Sequence, residues 1–63
     1  MPVEMLQEFL GKECQIKFLS AWDGSVVGTI LAVEDGWIKV EEKKTTHIIN
    51  ADYIKDISIR KEN

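Results

Sequence analysis

The chain is poor in the residue types that usually hold small proteins together. Cys14 is its one cysteine and His47 its one histidine, and Pro2 is its single proline. One cysteine excludes an intramolecular disulfide and suits a reducing compartment. One histidine beside it excludes a Cys/His metal set within a single chain. Positive charge is also short: 8 Lys and Arg stand against 11 Asp and Glu, a net charge of −3. Non-specific nucleic-acid binding runs on phosphate neutralisation and gains little from this balance. No apolar run approaches the ~20 residues of a transmembrane helix. The opening Met1-Pro2-Val3-Glu4 lacks the basic start and continuous apolar core of a secretory signal. The expectation is a soluble, cytoplasmic protein with no membrane partner, no metal and no cofactor. Catalytic groups are equally sparse. There is no phosphate-binding glycine loop and no paired-carboxylate constellation, and Cys14 lies in a core-facing pattern rather than an electropositive pocket. A non-enzyme is expected.

The 63 residues carry no linker, repeat or low-complexity segment, so residues 1–63 read as one domain. A chain of this length buries only about 60% of its unfolded surface, which makes its own core marginal. With disulfide and metal set aside, self-association is the remaining reinforcement.

What is present is patterning. Val3, Leu6 and Leu10, with Met5 and Phe9 beside them, place an apolar face on a short helix over residues 3–10. Pro2 suits its first turn, and Gly11 ends it. Too short to persist alone, it must lie on an apolar surface. From Cys14 the period becomes two. Cys14, Ile16 and Phe18 alternate with polar residues in a first strand over 13–20, and Ala21-Trp22-Asp23-Gly24 turns the chain. A second strand, 25–34, is apolar on both faces over Val26 to Val33 and reads as central. Glu34-Asp35-Gly36 is the next turn. Strand three, 37–42, sets Ile38 and Val40 against Trp37, Lys39 and Glu41, and Lys43-Lys44 marks a hairpin. Strand four, 45–49, is rich in β-branched residues. Asn50 to Tyr53 is a tight connection to strand five, 54–60, whose Ile57 and Ile59 face the core. Lys61-Glu62-Asn63 is a polar end. Gly28 stands out, because glycine inside a strand weakens it unless a bulge, a bend or a close backbone approach requires it. The class is mainly β: a short N-terminal helix, then a five-stranded, strongly bent antiparallel sheet forming a small open barrel. Its edge strands four and five lack proline, and exposed edges of this kind pair with another chain.

A helix, five strands, Gly28-Thr29-Ile30-Leu31-Ala32-Val33-Glu34-Asp35 and then Ile48-Ile49-Asn50-Ala51-Asp52-Tyr53-Ile54-Lys55-Asp56-Ile57 together resemble the Sm-like family, which includes bacterial Hfq. The resemblance spans about Leu6 to Ile59. It implies an Sm-like fold, a homo-oligomeric ring of six or seven subunits joined through strands four and five, and single-stranded RNA as partner, bound at the pore through the loops after strands two and four. Carried over by position, those loops are Glu34 to Trp37 and Asn50 to Tyr53. They give Asp35, Trp37, Lys39, Asn50 and Tyr53 as candidate RNA contacts. Trp37 takes the family's base-contacting place if the turn is one residue longer than usual; if not, Gly36 takes it and the stacking platform is lost. The chain departs from the family in the second loop. Asn50-Ala51-Asp52 stands where Arg-Gly or Lys-His is usual, and Gly11-Lys12-Glu13 replaces the arginine cluster that Hfq carries after its helix.

Each candidate also has a plainer reading. Trp37 stacks a base or packs on the outer sheet face or a subunit contact. Asn50 meets a base edge or satisfies its own turn. Tyr53 anchors the last turn. Lys39, Lys43 and Lys44 are a basic cluster interrupted by Glu41 and Glu42, or a solvated hairpin. Trp22 is a peripheral contact or a loop residue folded on the rim. His47 is structural or lies at a subunit contact, and Cys14 is a small buried hydrophobe. Two functions follow. One is a ring-forming Sm-like protein binding single-stranded RNA in post-transcriptional regulation. The other is a protein-binding or scaffolding module on the same barrel that has lost the RNA site.

Overall fold

A computed structural model describes residues 3–20 and 24–60, with the side chain of Val3 excepted. The expectations for Pro2, Val3's side chain, the Ala21-Trp22-Asp23 turn and Lys61-Glu62-Asn63 lie outside the described residues. The chain opens with α1 (Val3–Leu6) and a 3-10 turn (Gln7–Phe9). Five strands follow: β1 (Glu13–Phe18), β2 (Ser25–Glu34), β3 (Trp37–Glu42), β4 (Thr45–Asn50) and β5 (Ile54–Ile59). A second 3-10 turn, Ala51–Tyr53, joins β4 to β5. All five strands lie in one antiparallel sheet of order β4-β3-β2-β1-β5. No described helix is long and apolar enough to cross a membrane.

The helix is shorter than the apolar spacing predicts. Backbone hydrogen bonds to β2 end it: Gly11 N–H donates to Ile30 O at 2.8 Å, and Ile30 N–H donates to Lys12 O at 3.3 Å. These bonds draw Leu10 into a parallel bridge with Ile30, and Gly11 turns the chain at φ 78. Among the described side chains of the expected apolar face only Leu6 reaches the core, at 1% exposure, with Phe9 packed against it; Met5 and Leu10 remain exposed. β1 stops at Phe18 rather than residue 20, because Leu19 N–H donates to Tyr53 O at 2.8 Å.

Topology dictates a strongly curved sheet. Adjacent strands lie ~4.8 Å apart, so a flat five-stranded sheet would separate its edges by about 19 Å. β4 and β5 are those two edges, yet only the three residues Ala51–Tyr53 join them. A 3-10 turn rises about 2 Å per residue and cannot cover that distance. The sheet therefore curls until its edges approach at this end, without β4 and β5 pairing to close a barrel. β2 makes the curl possible. Its first half pairs with β1 (Lys17↔Ser25 through Glu13↔Thr29) and its second half with β3 (Thr29↔Glu41 through Glu34↔Trp37). The halves meet at Thr29, and within the second Leu31 is an extra, bulged residue; bulges bend a strand and raise its twist. A second bulge lets β5 follow β1, with Phe18↔Ile54 and Lys17↔Asp56 leaving Lys55 unpaired.

Gly28 sits at the inside of this bend. A Cβ there would lie 2.5 Å from the Glu41 carbonyl oxygen and 2.9 Å from Val40 Cγ1. Close backbone approach, one of the three reasons for a strand glycine, is thus the operative one. Curling encloses Leu6, Cys14, Ile16, Ile30, Val33, Ile38, Val40, Ala51 and Ile54, all buried. β2 is not buried on both faces, as its apolar run suggests: Leu31 is 45% exposed because the bulge turns it outward.

Gly28→Ala is expected to lower stability by about 3 kcal/mol, since a backbone carbonyl cannot move aside as a side-chain tip does. A domain of this length has roughly 3–9 kcal/mol in total. Urea denaturation followed by circular dichroism measures the change, and an unshifted midpoint would show that the approach is loose.

Candidate nucleic-acid interface

Asp35 and Gly36 alone make the β2–β3 turn. Both have positive φ, 49 and 79, the pattern of a two-residue hairpin for which Asp-Gly is a preferred pair. The turn is not lengthened, so by position Gly36 takes the family's base-contacting place, and Trp37 lies one residue beyond it, at the surface as the first residue of β3. Register places its neighbours. Trp37 lies between Glu34 on β2 and Asn50 on β4, and Lys39 lies between Ala32 and Ile48. Strand alternation sends Ile38 and Val40 inward, both fully buried, and leaves Trp37 48% exposed on the outer face. Ala32, Glu34, Asp35, Trp37, Ile38, Lys39 and Ile48 line a shallow depression of about 340 Å3.

Of the five candidate residues, the structure brings Asp35, Trp37 and Lys39 into that depression. Asn50 is Trp37's cross-strand partner, but its Oδ1 accepts a hydrogen bond from Asp52 N–H at 2.9 Å and caps the Ala51–Tyr53 turn. That contact is the one its turn-satisfying reading describes. Ala51 N–H donates to Gly36 O at 2.8 Å, fastening the connection to the β2–β3 turn. Tyr53 is set apart. It is 63% exposed and lines a different depression with Phe18, Ile48 and Ile49.

Glu34, Ala32 and Ile48 are members of the Trp37 surface that the candidate residues omitted. For Ile48 the signal was present: Ile48 and Ile49 are adjacent in a strand, so one of them must face outward, and Ile48 is 58% exposed. The basic cluster divides. Lys39 joins Trp37, while Lys43 and Lys44 lie exposed on the β3–β4 hairpin.

The remaining chemistry-bearing residues are elsewhere. Cys14 is fully buried, its Sγ 3.4 Å from Lys12 O. Burial pushes its thiol pKa up, with Lys12 opposing and Glu13 reinforcing, so the sulfur stays protonated at neutral pH. His47 Nε2 lies 3.1 Å from Glu42 Oε1, and Arg60 Nε lies 3.9 Å from Glu13 Oε1. Both pairs are open to water and add little to stability. Among the described residues no three His, Cys, Asp or Glu side chains gather as a metal site would require.

Compared with known protein families, curated proteins and solved structures, the chain matches none of them.

Removing the Asn50 cap tests its assigned role. Asn50→Ala is expected to lower stability by about 1 kcal/mol, the usual effect of losing a side-chain cap. Thermal and urea unfolding measure this, and full stability in the variant would return Asn50 to the list of free base-contacting groups.

Proposed function

We propose that the chain is an Sm-like protein that assembles into a homo-oligomeric ring and binds single-stranded RNA in post-transcriptional regulation, as a binding module rather than an enzyme. The observation that carries this reading is the strand order, with β4 and β5 left as the two unpaired edges of a curled sheet. β4 pairs with β3 over six consecutive residues without a bulge, and its sequence Thr45-Thr46-His47-Ile48-Ile49-Asn50 has no proline, aspartate, glutamate, lysine or arginine to block a second strand. Pairing the β4 edge of one copy with the β5 edge of the next is a heterologous contact, and such contacts close into rings when the rotation allows. The same step covers the apolar depression of Phe18, Ile48, Ile49 and Tyr53 that flanks β4. For RNA, the supporting feature is the exposed Trp37, one residue past the family's base-contacting place, with Lys39 two residues along the same face. An indole of this kind stacks a base, and a lysine meets the adjoining phosphate.

A second reading has its own observation in support. Asn50 is engaged within its turn, Asp52 is exposed beside it, and Glu34 and Asp35 rim the Trp37 depression. That acidic setting favours a protein-binding or scaffolding module on the same ring.

Light scattering behind a sizing column is expected to give a mass several times the 7.2 kDa of one chain. A monomer at micromolar concentration would remove the ring. The two ligands separate by titration at low salt, where phosphate contacts are strongest. Trp37→Ala is expected to weaken binding of a uridine- or adenosine-rich hexamer by at least about tenfold, within the range of one stacked base. If neither this hexamer nor one containing guanosine binds the unaltered protein, the scaffolding reading takes its place.

A further inference from the structure

We infer that Glu34 makes the Trp37 surface selective for guanine. The inference rests on the RNA reading above and adds which base occupies the stacking place. Glu34 and Trp37 are direct cross-strand partners at the end of the β2–β3 hairpin. Side chains so paired leave the sheet on one face with Cβ atoms about 4.5–5.5 Å apart. A carboxylate therefore stands beside the exposed indole on one face, and both line the same depression. The Glu34 side chain makes no hydrogen bond or ion pair with another described residue, which leaves both carboxylate oxygens to accept from a ligand.

An ionised carboxylate only accepts hydrogen bonds, and two adjacent donors can engage its two oxygens together. Guanine alone among the four RNA bases presents two neighbouring N–H donors on its Watson–Crick edge, the ring N1–H and the exocyclic N2–H2. Uracil offers a single N–H flanked by two carbonyls, which a carboxylate repels. Adenine and cytosine offer an exocyclic amine beside a ring nitrogen that is itself an acceptor. A guanine lying on Trp37 with its Watson–Crick edge toward Glu34 satisfies stacking and both donors at once.

Lys39 separates this ligand from a chemically similar one. An arginine guanidinium also stacks on indole and meets a carboxylate with two donors. Lys39 lies in the same depression, two residues from Trp37 on the outer face of β3. Its ammonium repels a guanidinium and attracts the phosphate of a nucleotide. The depression carries two acids, Glu34 and Asp35, and one cation, Lys39, around the aromatic, and it is the cation, of use to a nucleotide phosphate and not to a basic peptide, that favours the nucleotide.

The test is fluorescence anisotropy with end-labelled RNA hexamers at about 50 mM salt, a regime that preserves phosphate contacts. The probes are U6, UUGUUU and UUIUUU, where inosine lacks the N2 amine. The guanosine hexamer is expected to bind at least about tenfold tighter than U6, the lower end of what one bidentate base contact supplies. The inosine hexamer should lose most of that gain. Glu34→Gln, an exposed substitution of unchanged shape, should bring the guanosine hexamer and U6 within about twofold while leaving U6 affinity equal or slightly raised. Equal binding of the three RNAs by the unaltered protein overturns the selectivity and leaves the RNA reading standing. So does a guanosine preference that survives Glu34→Gln. Absence of binding by all three, with saturable binding of an arginine-containing peptide, overturns both.

Discussion

Three residues hold the architecture together. Ala51, Asp52 and Tyr53 connect strands at opposite edges of the sheet, and a link so short forces the sheet to curl. Its own geometry is fixed at each end: Asn50 caps it, Ala51 bonds to the β2–β3 turn, and Tyr53 bonds to the chain leaving β1. Several departures from regularity go with that curl. Gly28 gives way to the Glu41 carbonyl, Leu31 and Lys55 bulge out of their ladders, and the helix is cut short so that Leu6 can seal the core. A small chain without disulfides obtains an enclosed core by bending one sheet.

The curl also explains why the edges matter. A sheet that nearly meets itself but does not pair leaves two sets of backbone donors and acceptors facing water. β4 is the more open of the two, with an unbroken ladder on one side and no Asp, Glu, Lys or Arg on its own length. β5 is partly guarded by its bulge at Lys55 and by exposed Asp56. The asymmetry suits a head-to-tail contact between unlike edges, in which each copy offers one and receives the other.

Much of this was legible in the chain. Period-two alternation and the Asp-Gly pair place β2 and β3 where they lie, because half-buried strands and two-residue turns have local causes. The bulge at Leu31 was not legible, since an uninterrupted apolar run from Val26 to Val33 hides which residue is extra. Nor was the end of the helix. Leu10 has helical spacing, but hydrogen bonds between Gly11, Lys12 and Ile30, distant in sequence, override it. At the candidate site the strand residues Trp37 and Lys39 were readable from alternation. The engagement of Asn50 depends on a side-chain hydrogen bond that residue type alone leaves open. Glu34 was hidden for a different reason: its importance comes from the residue opposite it across the ladder.

The central claim is that β4 and β5 are edges completed by another copy of the chain. Amide hydrogen exchange, resolved by residue and run across a protein dilution series, tests it most directly. The account predicts that outward-facing amides of β4 and β5 are protected at high concentration and lose protection together on dilution, while β1, β2 and β3 keep theirs. Edge amides that exchange freely at every concentration, or protection that ignores dilution down to a demonstrated monomer, would contradict it.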